Sequence, residues 1–354
     1  MNHPNSGHLP FVIGLTGVIG TGKSLVRKML EHKGALTVDA DQLAQQAYNK
    51  DSCGYQAVTG QFGKKILDKN GEIDRTTLGN LVFNNAQALA DLEALIHPLV
   101  SQAVNKVVNR SPLPIIVVEA IKLFESDLKD NCDEIWIITS PIDQIYGRLA
   151  STRAMNRSQV NGRLQNQHLQ FINNSVISVV NDGTIADLQQ RVSEHWKNLA
   201  EASPHFNAAL VFTNQLLKPF DGYLLSTDAA AASGFFPKKT NPYNYFLWRL
   251  FLSGKTNSYI SSSINHFTAI CETGTSKIDP LLFNECLSML EQFFRLHLCD
   301  TLSVICSSQD ESEIRQLGFD QCDKPSAQAL HTYPLGYNHL CRQLLPSLEL
   351  FRET

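Results

Sequence analysis

The 354-residue chain holds eight cysteines but no Cys-x-x-Cys pair. That scatter excludes the paired spacing of a zinc ribbon or a dithiol redox centre, and the thiols read as reduced core residues of a cytosolic protein. No run approaches the ~20 apolar residues that a membrane span needs. The opening MNHPNSGHLP lacks the cationic start and apolar stretch of a secretory signal. Neither sign of charge dominates: 30 Lys and Arg stand against 34 Asp and Glu, a net −4, so there is no overall basic field to hold a nucleic acid. The expectation is a cytoplasmic protein with neither a membrane nor a nucleic acid as partner.

What is present is apolar material, 43% of the residues, enough for two domains. From Phe11 to about Ala202 short apolar runs alternate with helical segments, the pattern of an α/β fold built on a parallel sheet. Phe11–Leu15, Ala35–Val38, Ile115–Val118 and Glu134–Ile138 are continuous runs, as strands covered on both faces should be, and Val176–Val180 is a weaker fifth. Ile185, Leu188, Val192, Trp196 and Leu199 recur at helical spacing, which predicts a closing helix. A boundary is expected at Ala202-Ser-Pro-His205. Residues 205–354 carry only 11 Lys and Arg and 14 Asp and Glu, too few charges for a linker or tail, and should form a smaller α/β or α+β unit. Within it the aromatic stretch Asn241–Phe251 reads as an amphipathic helix, Leu281–Leu298 as a long helix, Thr301–Cys306 as a strand and Glu311–Leu317 as a short helix.

Gly17-Val-Ile-Gly-Thr-Gly-Lys-Ser24 satisfies G-x-x-x-x-G-K-[ST] and sits between the first strand and a helical run, the context a phosphate-binding loop requires. Gly17, Gly20 and Gly22 let the backbone around Thr21 wrap closely, so that its N–H groups point into one concavity. The helix N-terminus adds its own donors. Lys23 is the point charge for the β and γ phosphates, the Ser24 hydroxyl a ligand for Mg²⁺, and the Leu25 amide a donor to the α-phosphate. The cofactor set expected is ATP with Mg²⁺. The guanine-reading Asn-Lys-x-Asp is absent, which argues against a GTP switch.

Val38-Asp-Ala-Asp41 follows the second strand and puts two carboxylates at the carboxyl edge of the sheet, where ligands bind in such folds. A kinase acting on a hydroxyl gains roughly 10² to 10⁴ in rate from a carboxylate that accepts its proton. Asp41 is the candidate base. Asp39 would support substrate or a Mg²⁺-bound water; the alternative for either aspartate is to cap the following helix, which should begin near Gln42.

In order and spacing these segments resemble the dephospho-CoA kinase family. The resemblance is carried by Gly14–Ser24, Val38–Asp41, Gly71-Glu-Ile-Asp-Arg-Thr-Thr-Leu-Gly-Asn-Leu-Val-Phe83, Leu92-Glu-Ala-Leu-Ile-His-Pro-Leu-Val100, Gln167 and Val180-Asn-Asp-Gly183. It covers about residues 11–202 and implies a P-loop three-layer α/β/α kinase domain. That domain would have an acceptor-binding helical insertion over about 43–110 and a lid over about 148–167. The implied reaction moves the ATP γ-phosphoryl group to the ribose 3'-hydroxyl of dephospho-CoA. By position, Arg75 would pair with a substrate phosphate. His97 would bond substrate, orient the acceptor helix or serve only the fold. Arg148 and Arg153 would arrive with the lid, and Asn181 with Gly183 would lie beside adenine. Arg157 and Arg163 read as solvated helix residues.

Three segments depart from the family's pattern. Glu119-Ala-Ile-Lys-Leu-Phe-Glu125 stands where a Pro-Leu-Leu-x-Glu pattern is common, so Glu119 and Lys122 sit in altered surroundings. Asn174-Ser175 replaces an Ala-Asp pair, and Arg148 to Arg153 is one residue longer than expected. The later half of 205–354, ending in Leu317-Gly-Phe319, resembles the end of an acetyltransferase-type domain. Glu272–Pro280 does not match that family's acyl-CoA turn, which points to a degenerate, regulatory or dimerising unit. Two rival readings stay open: a nucleotide-binding regulatory protein in which the P-loop governs the second domain, and a related nucleoside or metabolite kinase.

Overall fold

The computed structural model describes residues 10–83, 85–165, 167, 176–220, 246–252, 255–265, 268–273, 280–299, 301–307, 311–321 and 337–343. Its first unit is a five-stranded, all-parallel sheet in the order β2-β3-β1-β4-β5. The strands are β1 (Phe11–Thr16), β2 (Leu36–Asp39), β3 (Ile115–Glu119), β4 (Glu134–Thr139) and β5 (Val176–Val180). All five expected strands are present. β1 and β3 are buried along their whole length, because helices cover both faces of the sheet and an unbroken apolar run suffers no exposure there.

One face packs under α1 (Lys23–His32), α8 (Ile185–Ala202) and α9 (Pro204–Leu217), with Ile13, Val117, Trp136, Val192 and Phe206 in a single cluster. The other carries the insertion between β2 and β3: α2 (Ala40–Gln46), α3 (Cys53–Phe62), α4 (Arg75–Phe83) and α5 (Ala86–Arg110), centred on Val38, Val118, Ile96, Val100 and Val104. Between β4 and β5 lie α6 (Ile142–Arg153) and α7 (Arg157–Gln165). Local signals set these ends. Thr184 and Asp187 form a reciprocal capping box at α8, and Asn85 caps α5 through the amides of Gln87 and Ala88.

The expected boundary at Ala202–His205 does not end the first core. Ser203 caps α9, Pro204 starts it, and Phe206 is fully buried against Phe11 and Trp196. A serine followed by proline marks a helix start as readily as a domain junction, and here it is the former.

The second sheet runs β10-β11-β9-β8-β7-β6, from β6 (Phe246–Leu252), β7 (Lys255–Asn265), β8 (Thr268–Thr273), β9 (Thr301–Ser307), β10 (Asp320–Gln321) and β11 (Tyr337–Gln343). Neighbours are antiparallel except β8 and β9, which are parallel and joined through α10 (Pro280–Leu296). The short helix α11 (Glu311–Gln316) follows β9. The expected helix over Asn241–Phe251 is corrected: Phe246–Leu252 is a strand paired with β7, in keeping with the strong strand preference of Phe and Trp. Residues 241–245, Asn174-Ser175 and most of the Glu272–Pro280 segment lie outside the described residues.

The second unit touches the first through the end of α10. Leu298 joins the core cluster beneath the insertion, with Leu296 packed beside it, and Phe293 meets Phe220 edge-on at 5.3 Å. His297 is buried near Glu31 of α1, and burial holds its imidazole down to about 4 despite the Glu31 charge. Among the described residues no helix is long and apolar enough to cross a membrane.

Candidate active site

Register brings the chemistry to one edge. Leu15 and Asp39 both pair with Glu119 across β3, so the exits of β1, β2 and β3 lie side by side at the carboxyl end of the sheet, where α/β folds bind ligands.

Between β1 and α1 the loop closes into a cradle. Gly17 has φ +148°, and a Cβ there would stand 2.4 Å from the Ile138 carbonyl oxygen. Gly22, at φ +98°, would drive one to 2.5 Å from Asn181 Nδ2. Only glycine fits either position. Thr21 Oγ1 donates to the Val18 carbonyl at 2.9 Å, and Lys23 Nζ reaches the same oxygen at 3.2 Å. The ammonium is thus held inside the loop with 6% of the residue exposed. Burial pushes the Lys23 pKa down, while the carboxylates of Glu119, Asp41 and Asp39 oppose that shift. The Leu25 amide, expected to face the α-phosphate, donates here to the Gly22 carbonyl at 3.1 Å.

Asn181 and Arg148 brace this loop. Asn181 Nδ2 donates to the Thr21 carbonyl at 2.8 Å. Arg148 Nη2 bonds the main-chain and side-chain oxygens of Asn181 at 3.1 and 3.2 Å, and Nη1 bonds Ser140 Oγ at 3.0 Å. Arg153 lies at the exposed end of α6, and its charge is the smallest of the influences that lower the Lys23 pKa. Gln167 Oε1 accepts from the Ile19 amide at 2.8 Å, tying the expected lid to the loop. Arg157 and Arg163 are exposed, Arg157 stacking over Tyr146.

Asp39 caps α2, which begins at Ala40, by accepting from the Gln42 amide at 3.0 Å, and it faces Arg27 at 3.7 Å. Asp41 instead lines a cavity of about 460 Å³ between the insertion helices and the exit of β3. Its Oδ2 accepts from the Ile121 amide at 3.2 Å. Burial, then the Asp39 charge, then that of Glu119 raise the Asp41 pKa to about 6, against the pull of Lys23 and the Ile121 amide. Burial and Glu119 also raise Asp39. Arg75 and His97 line the same cavity. The Arg75 guanidinium donates to the Gln45 side-chain and main-chain oxygens and to Asn49 Oδ1 at 3.0 to 3.3 Å. All three acceptors are neutral, so its charge stays available to an anion.

Two partners lie outside the candidate site residues that the sequence marks. Glu119 is 4% exposed and accepts from Ser24 Oγ at 2.9 Å and from Arg27 Nε at 2.6 Å. A carboxylate ending the buried run Ile115–Val118 at the carboxyl edge is the visible sign of that role. Arg27, one turn after Lys23 on α1, has none.

A glycine-lined anion cradle, a buried lysine and an elevated carboxylate facing a cavity open to solvent define a P-loop phosphotransferase. The family model for dephospho-CoA kinase matches residues 11–187. The dephospho-CoA kinase of Geobacter sulfurreducens is 33% identical over 190 residues, 52% of this chain and 96% of that protein. That of Geobacter metallireducens is 35% identical over 198 residues, 54% of this chain and 98% of that protein. A crystal structure of a Thermus thermophilus protein covers 55% of this chain and 99% of its own, at 27% identity and a TM-score of 0.47. The chain belongs to the dephospho-CoA kinase family, and it is an ATP-dependent kinase. About 167 residues follow the matched region.

Proposed function

We propose that the chain transfers the γ-phosphoryl group of ATP to the ribose 3'-hydroxyl of dephospho-CoA, giving CoA and ADP. The observation that carries this reading is the position of Asp41. It is a carboxylate raised to about 6, within reach of the cradle lysine's charge, and it lines a cavity large enough for an acceptor. Near its pKa such a group is ionised at neutral pH and still basic enough to take a hydroxyl proton.

In this reading the acceptor enters between the insertion helices and the β3 exit. Its 3'-oxygen attacks the γ-phosphorus as Asp41 removes the proton, and ADP departs as the leaving group. Lys23 and the loop amides stabilise charge on the transferring oxygens. Arg153 adds its charge from the lid, whose closure excludes water. Arg148 and Asn181 keep the cradle in shape, Arg75 meets an acceptor phosphate, and Asp39 supports the site as the cap of α2.

Mg²⁺ fits the donors present. The Ser24 hydroxyl and the Asp39 carboxylate are oxygen donors, and a cation would relieve the raised Asp39. Among the described residues no three carboxylate, His or Cys side chains stand close enough to hold a metal by themselves. The ion would therefore be shared with the triphosphate, where it offsets developing negative charge.

The proposed organisation is a kinase unit from Phe11 through α9, with the acceptor insertion over 43–110, the lid over 148–167, and a second unit completing the chain. In that unit the parallel β8–β9 pair around α10 supports the expected acetyltransferase-like order. The test is product identification. Incubation with ATP, Mg²⁺ and dephospho-CoA should yield a product one phosphate heavier, esterified at the 3' position. Phosphate at the 2' position, or none, overturns the reading.

A further inference from the structure

Lys122 follows the exit of β3, and its surroundings give it a task. The backbone from which it springs is fixed by three bonds. The Ala120 amide donates to the Leu15 carbonyl at 3.0 Å, the Ile121 amide to Asp41 Oδ2 at 3.2 Å, and Thr16 Oγ1 to the Ile121 carbonyl at 3.2 Å. Lys122 is thus anchored at once to the root of the phosphate cradle and to the candidate base. Its side chain lines the acceptor cavity opposite Glu93 and His97, which sit one turn apart on α5.

Its ammonium is covered by two carboxylates, Glu93 Oε1 at 2.6 Å and Glu125 Oε2 at 3.4 Å. One cation between two anions presents a net negative field to an acceptor that carries a diphosphate. Yet Lys122 is 32% exposed and Glu93 29%, and a pair that wet contributes little by itself. An incoming diphosphate, with two non-bridging oxygens on each phosphorus, displaces a carboxylate from such a lysine at small cost.

We propose that Lys122 is a specificity residue of the acceptor cavity, exchanging the Glu93 carboxylate for a phosphate of the acceptor as it binds. Arg75, held by neutral groups, is a permanent anion site. Lys122 is one that Glu93 masks until an anion arrives, so that acceptors with a phosphodiester or diphosphate next to the ribose are favoured over neutral nucleosides. The proposal rests on the kinase reading above.

A purely structural strut between α5 and the sheet edge makes a different prediction, because either half of a strut can be removed with the same consequence. If Lys122 binds the acceptor, the two halves have opposite signs. Lys122→Leu should raise KM for dephospho-CoA about tenfold, the scale of one charge-assisted hydrogen bond, with KM for ATP unchanged. Glu93→Gln should lower KM for dephospho-CoA and weaken its dependence on ionic strength. For adenosine as acceptor, which has no phosphate, Lys122→Leu should raise KM by a smaller factor than for dephospho-CoA. Melting curves of both variants identify any loss of folding, and Lys122→Arg, which keeps the charge, should retain wild-type KM. Acceptor-dependent turnover by the wild type, with both variants shifting KM in the same direction or not at all, overturns the proposal and leaves the kinase reading intact. ADP release independent of any acceptor in the wild type overturns both.

Discussion

Arg27 donates from Nε to Glu119 Oε2 at 2.6 Å, while the other oxygen of that carboxylate accepts from Ser24 Oγ at 2.9 Å. The phosphate loop is therefore held from beneath by a carboxylate that is already neutralised. Glu119 can orient the Ser24 hydroxyl without placing a bare negative charge under the triphosphate. Arg27 also reaches Thr37 Oγ1 at 3.4 Å, and Thr37 in turn donates to Glu31 at 3.2 Å. One string of bonds thus runs from the cradle to the far end of α1, where the second unit packs.

Removing Arg27 strands Glu119 at 5% side-chain exposure. Breaking a buried pair by deleting one partner costs about 3–5 kcal/mol. Arg27→Ala should therefore lower the unfolding free energy on that scale in urea titrations. Arg27→Ala combined with Glu119→Gln should recover part of the loss, since no uncompensated charge remains. Equal destabilisation by the single and double variants would contradict this.

Asp41 links function to a stability penalty. Its pKa rises from 3.8 for an unperturbed aspartate to about 6 in the fold. Between those values the folded protein holds a proton that the unfolded chain has lost, so stability falls as pH rises through this window. Asp41→Asn removes that penalty. It should raise stability at neutral pH by an order of 1–3 kcal/mol while reducing turnover about 10²-fold or more. In the wild type the rate should climb with pH along a limb centred near 6. A pH–rate profile that stays flat on both sides of that midpoint would remove Asp41 as the base.

The two lid arginines should separate kinetically. Arg148 bonds Asn181 and the Gly20 and Thr21 carbonyls, so Arg148→Ala should raise KM for ATP and lower the melting temperature. Arg153 is exposed, and in the proposed reaction it acts through its charge on the cradle. Arg153→Ala should lower kcat, with melting unchanged. Steady-state kinetics and thermal melts on both variants check this, and the same profile for both would contradict it.

Much of this site is legible in the amino-acid sequence. The runs of β1 and β3 are unbroken because a sheet covered on both faces leaves its central strands nothing to alternate with, whereas β5, at the edge, is partly exposed. The phosphate loop lies between β1 and α1 and Asp41 just after β2, as the motif context and the strand runs predict. Asp39 has two readings in the sequence, and the Gln42 amide at 3.0 Å favours the cap. What spacing cannot supply is partnership across the chain. Glu119 lies 95 residues from Ser24 and 92 from Arg27, and only strand register brings them together. The stretch Asn241–Phe251 misleads because aromatic residues fit a helix face and a pleated strand alike, and pairing with β7 decides between them.

Contact between the units can be measured directly. Leu298 is 6% exposed within the core cluster beneath the insertion. Leu298→Ala should cost about 2–5 kcal/mol, as other buried Leu→Ala changes do, and the loss should appear in the unfolding of the kinase unit. An unchanged midpoint would mean that this unit does not depend on α10.

The proposed reaction requires a hydroxyl acceptor to be activated beside the cradle, and the decisive assay is ADP release by the purified chain in the presence and absence of dephospho-CoA. Release that depends on dephospho-CoA, with Lys23→Ala slower by about 10²–10³, is the result expected. ADP formed at the same rate with and without dephospho-CoA would contradict it.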